Sequence, residues 1–184
     1  MAEKGIELEI EEGGQAEFPA LEDDFLAKSP SRLAPVLELD DGTCISESIA
    51  ICRYFEALHP TPALFGTTPV EIARIDMHQR RIELGLGRSV GVSWVNGPVV
   101  AQIAPGRFTQ IPEAKTQSDA AAHAYFERLD GELAERAMIA GDSYSIADIT
   151  AMCIIDFAEQ AVDLKPDSGL QHLARWRKAV GSRP

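Results

Sequence analysis

The chain has 184 residues, 45% of them hydrophobic, and a formal net charge of -12. That is enough apolar material for one large or two small packed domains and too much for general disorder. Residues 1–60 hold 14 Asp and Glu against 4 Lys and Arg, and the remainder 15 against 13, so the front repels phosphate backbones and nucleic-acid binding through it is not expected.

No apolar run approaches the roughly 20 residues needed to span a bilayer, so no membrane association is expected. The opening "MAEKGIELEIEEGG" lacks the basic-then-apolar pattern of a secretory signal, and the expected location is the cytoplasm. Cys44, Cys52 and Cys153 form no CxxC pair and are odd in number, which fits reduced thiols that pack as small buried hydrophobes. His59, His78, His123 and His172 stand apart from one another and from the cysteines, and no metal site is expected.

In chain order, "GIELEIEE" alternates Ile6, Leu8 and Ile10 with acidic residues, the period-two signal of a half-buried strand. Residues 11–34 read as an acidic loop with one helical turn around "PALEDDFLA". "PVLELDD" and "TCIS" flank Asp41-Gly42, which predicts an antiparallel hairpin with a tight turn. From Ser48, the apolar residues Ile51, Tyr54, Phe55 and Leu58 predict an amphipathic helix that Pro60 stops.

"HPTPALFGTTP" holds three prolines and a glycine in eleven residues, and strand signals end there, which marks a domain boundary. Beyond it, Ile72, Ile75, Ile82 and Leu86 predict a first long helix. Phe126, Leu129 and Leu133 predict a second, and Ile146, Ile149, Cys153 and Phe157 a third. The fold class is therefore α/β followed by all-α.

The glycines of "GLGRSVG" have the wrong spacing and follow a helix rather than a strand, so they read as the loosening of a helix end before the loop "WVNGPVVAQIAPGR". Arg80 and Arg81 with Glu83 read as a solvated or interdomain face. Ser145 and Asp148 form a capping box with Tyr144 and Ile149 as its hydrophobic staple, a structural role. Glu47-Ser48 opens a helix directly behind a strand: such an N-terminus attracts a carboxylate, a hydroxyl strengthens the site, and a neighbouring carboxylate takes an ammonium. The pair suits the head of an amino acid, and a plain N-cap accounts for it equally well.

"LAPVLELDDGTCISESIAICRYFE" resembles the second half of the thioredoxin-like domain of cytosolic glutathione transferases, whose pattern runs VPVLxxxDGxxLxESxAIxxYL. "AGDSYSIADIT" resembles the capping-box segment of the same family's helical domain, and "KSPSRLAP" its N-P-x-G-x-V-P loop. The resemblance implies a thioredoxin-like domain over residues 1–60 and a helical bundle over residues 70–184. It implies that Pro35 is cis, that the backbone of Ala34 pairs with the cysteinyl unit of glutathione, and that Glu47 and Ser48 hold the γ-glutamyl ammonium and carboxylate. Ser31-Arg32-Leu33-Ala34 departs from the family's Gly-x-Val, with Ala34 smaller than the usual Val.

The family's first strand and helix, and the turn carrying the Tyr, Ser or Cys that meets the glutathione sulfur, have no counterpart here. The expectation is a chain that begins near the end of that helix, with a gap in its sheet, a detached or mispaired "GIELEIEE" and little or no conjugating activity. Cys44 or Ser46 is the alternative thiol-handling group. Met77, Arg81 and Trp94, on the first long helix and the loop after it, are candidate walls for the cosubstrate. The resemblance further implies glutathione as substrate without a metal, a small electrophile as second substrate, and a homodimer. The alternative is a non-catalytic module of the same fold.

Overall fold

Two short strands, β1 (Val36–Glu38) and β2 (Cys44–Ser46), pair antiparallel with Val36 opposite Ser46 and Leu37 opposite Ile45. The turn between them is closed by Asp41, whose carboxylate accepts the Thr43 N–H at 2.8 Å, and by Gly42 at φ 83, a left-handed conformation that costs a glycine nothing. Helix α2 (Ser48–Leu58) follows directly and buries Ile51 and Phe55. Leu58, expected on the same face, is 55% exposed.

This computed structural model describes residues 1–10, 23–31 and 33–183. The loop expected over residues 11–22, and Arg32, lie outside them. Helix α1 (Asp23–Lys28) supplies the helical turn expected near there. The chain divides into two units, Met1–Ala63 and Leu64–Pro184.

The expected first strand is not formed. Ala2–Lys4 make a single 3-10 turn, Gly5 turns left-handed at φ 62, and Ile6–Ile10 run on without a strand partner among the described residues, with Ile10 78% exposed. A strand exists only through its ladder partner, and an alternating sequence cannot supply one. Lys4 holds this segment instead: its ammonium donates to the carbonyls of His59 (2.6 Å) and Pro62 (2.7 Å) and pairs with Glu56 at 2.7 Å.

In the second unit, α3 (Pro69–Ile82) starts on a Thr68–Glu71 capping box, whose hydrogen bonds from Thr67 and Thr68 hold the Glu71 carboxyl down at about 2. The helix does not end at "GLGRSVG". It passes through one wide π turn, Glu83–Gly87, into α4 (Arg88–Val95). The glycines there make room: a Cβ on Gly85 would sit 2.4 Å from the Tyr125 ring. The expected loop after it is largely helical too, with Trp94 on α4 and α5 at Pro98–Ile103.

Helix α6 (Pro112–Ala134) buries Phe126, Leu129 and Leu133, as the spacing predicts. On α7 (Ile146–Phe157) the predicted stripe holds only at its start: Ile146 is buried, but the core face runs along Ala147, Ala151 and Ile155, while Cys153 is exposed and Phe157 is 42% exposed. Small alanines let α7 pack close, so the largest apolar side chains do not mark its buried face. Cys44 is exposed as well, and of the three cysteines only Cys52 is partly covered. Helix α8 (Gln171–Gly181) closes the core with Leu173, Trp176 and Val180. No helix among the described residues is long and apolar enough to cross a membrane.

Candidate functional site

The hairpin register assembles the site. With Val36 opposite Ser46, the next residues outward are Pro35 on one strand and Glu47 on the other, and beyond them Ala34 and Ser48. Four residues singled out from the sequence thus meet at one strand end. All four are exposed. The Ala34–Pro35 peptide bond is cis, as the resemblance implies.

Glu47 occupies the N-cap of α2 at φ 72, ψ 117, a conformation that a non-glycine residue adopts only when its surroundings impose it. The Glu47 side chain makes no capping hydrogen bond to the first N–H groups of α2. Those groups, the Ser48 hydroxyl and the partial positive charge of an eleven-residue helix lie together at the helix start, with the Glu47 carboxylate on the preceding residue. Such an arrangement receives a carboxylate and an ammonium a few ångströms apart.

The approach to Pro35 is braced by groups that composition did not reveal. Ser29 is fully buried, and its hydroxyl donates to the Leu33 carbonyl at 2.9 Å and accepts the Leu33 N–H at 3.3 Å. Lys28 at the end of α1 pairs with Glu38 of β1 at 2.5 Å. Ser29 lies within "KSPSRLAP", but a serine in a polar loop carries no periodic signal, so nothing in the sequence marks it as buried.

Met77 and Arg81, one turn apart on α3, share an exposed face. Trp94 does not join them: seventeen residues separate it from Met77 along nearly continuous helix, about 25 Å at 1.5 Å per residue. Its ring instead packs edge-on against Phe157, with centroids 5.2 Å apart. Ser145 and Asp148 lie in the core: the Asp148 carboxylate accepts the Ser145 N–H and hydroxyl (both 3.0 Å), the Ile139 N–H (2.9 Å) and the Trp176 indole N–H (2.8 Å). Among the described residues no three His, Cys, Asp or Glu side chains are grouped as a metal ion would require.

Residues 1–58 match the family described as Glutathione S-transferase, N-terminal domain, and residues 97–184 match Glutathione S-transferase, C-terminal domain. Glutathione S-transferase 2 of Saccharomyces cerevisiae is 40% identical over 167 residues, covering 88% of this chain and 68% of its own. The chain belongs to the glutathione S-transferase family. The crystal structure of Gtt2 from the same yeast superposes with a TM-score of 0.80 at 38% identity, covering 88% of this chain and 76% of that one. A glutathione S-transferase domain-containing protein of Marinobacter aquaeolei superposes at 0.78 with 37% identity, over 88% of this chain and 78% of its own. Elongation factor 1-gamma of Schizosaccharomyces pombe is 32% identical over 155 residues, 83% of this chain but 35% of its own. The first unit is thus the thioredoxin-like domain of the glutathione S-transferase fold and the second its helical domain.

Proposed function

We propose that this glutathione S-transferase family member binds glutathione at the open end of its hairpin and adds the glutathione thiolate to an electrophilic carbon of an apolar cosubstrate. The observation that carries the reading is the register that pairs Val36 with Ser46, from which Pro35 and Ala34 continue one strand outward and Glu47 and Ser48 the other. Ser48 and the first N–H groups of α2 take the γ-glutamyl carboxylate, Glu47 takes its ammonium, and the Ala34 backbone pairs with the cysteinyl unit.

A free thiol has a pKa near 8.5, so only a few per cent is ionised at neutral pH, and stabilising the thiolate is the chemical task of such an enzyme. Met77 and Arg81 are offered as cosubstrate contacts. The wider reading is a cytoplasmic detoxifying enzyme. It is also a homodimer, in which the strongly acidic first unit of one copy meets the less acidic helical unit of the other. A particle of twice the 20.0 kDa chain mass is expected at micromolar concentration, and a monomer would remove this part of the reading.

The similarity to Elongation factor 1-gamma favours a second reading, a module of the same fold used for protein contacts. Retention on immobilised glutathione, with elution by the free tripeptide, separates the two. A chain that passes unretained supports the second.

A further inference from the structure

Ser29 is a fully buried polar residue of the first unit, and its hydroxyl uses its full capacity. The single proton goes to the Leu33 carbonyl (2.9 Å), so the contacts from the Leu33 N–H (3.3 Å) and the Ser31 hydroxyl (3.2 Å) fill the two lone pairs. Both polar backbone groups of Leu33 are therefore held by one atom. The Ser29 N–H in turn donates to the Phe25 carbonyl at 2.7 Å, which fixes the clamp to α1.

The Leu33–Ala34 peptide is trans, since the cis bonds are at Ala34–Pro35 and Thr61–Pro62. In a trans peptide the carbonyl and the following N–H point in opposite directions. With the Leu33 carbonyl drawn inward to a fully buried hydroxyl, the Ala34 N–H is turned outward at the exposed strand end, one step from Glu47-Ser48. We propose that Ser29 is a positioning residue for glutathione: its clamp on Leu33 aims the Ala34 N–H at the cysteinyl carbonyl of the tripeptide. The inference rests on the glutathione site proposed above.

Calorimetric titration with glutathione on the intact chain tests it, using Ser29→Ala, Ser29→Thr and, as a control, Lys4→Met. Lys4 braces the far end of the same unit, eleven residues of α2 away from Ser48. Ser29→Ala is expected to weaken binding about tenfold, the effect of one lost hydrogen-bonding group, while Lys4→Met stays within about twofold and Ser29→Thr, which keeps the hydroxyl, recovers most of the loss. Should Ser29→Ala fail to fold, Ser29→Cys, similar in volume and weaker in hydrogen bonding, takes its place with the same expectation. Parent-like affinity in Ser29→Ala, an equal loss in Lys4→Met, or a folded Ser29→Thr no better than Ser29→Ala overturns the inference. A loss in Ser48→Ala beside an unaffected Ser29→Ala overturns this inference alone, and a parent that does not bind glutathione overturns both it and the site.

Discussion

Asp148 accepts the indole N–H of Trp176 at 2.8 Å, and both side chains are fully buried. The same carboxylate holds Ser145 and the Ile139 N–H, so one side chain joins the start of α7, the segment before it and α8. Its role exceeds that of a helix cap, which is worth about 1 kcal/mol. Asp148→Ala strands several buried donors and is expected to cost on the order of 3 kcal/mol or more. Trp176→Phe removes one donor and little volume, and should cost less. Urea unfolding of both variants checks the order. Glutathione affinity of folded Asp148→Ala should stay at the parent value.

Gly85 and Gly131 both lie within helical segments, yet replacing them with alanine should have opposite effects. A Cβ on Gly85 meets the Tyr125 ring at 2.4 Å, whereas one on Gly131 meets nothing within 4 Å. Overpacking makes Gly85→Ala destabilising by about 1 to 3 kcal/mol, while Gly131→Ala, in the interior of α6, should stabilise by about 0.5 to 1 kcal/mol through lost chain entropy. Thermal melts of the two variants give the signs directly.

His78 is buried 3.4 Å from the Arg136 guanidinium, with Glu132 of α6 and Arg74 and Arg81 of its own helix around it. Burial first, then the charge of Arg136, pushes its pKa below the usual 6.5, an effect Glu132 partly offsets. The unfolded chain therefore takes up a proton more readily than the folded one. The contribution is intact above the unfolded pKa of about 6.5 and is lost as pH falls from there toward the lower folded value. His78→Gln should flatten this part of the stability curve. A slope between pH 6.5 and 5 that survives the substitution unchanged would assign it to other groups.

Much of this was legible because it is local. The Asp-Gly turn, the proline stop after α2 and the spacing of Phe126, Leu129 and Leu133 each need only neighbouring residues to act. The strand end with Glu47-Ser48 was legible for the same reason, and the hairpin register then brought Pro35 to it. What failed depends on partners distant in sequence. Ile6, Leu8 and Ile10 alternate correctly, but no strand partner lies beside them among the described residues. The inward face of α7 is set by how closely its alanines let it pack, which hydrophobicity does not encode. Gly85 of the π turn lies under Tyr125, forty residues later in sequence, and the Ser29 clamp leaves no compositional trace.

The central claim is that Ser48, at the start of α2 beside Pro35, holds the glutathione carboxylate. Calorimetric titration of glutathione into the parent and into Ser48→Ala measures it most directly. Loss of a hydrogen bond to a charged ligand group, roughly 1.5 to 3 kcal/mol, predicts a tenfold to hundredfold weaker affinity with an unchanged unfolding midpoint. Equal affinity in the two proteins, or no measurable binding by the parent, would contradict the account.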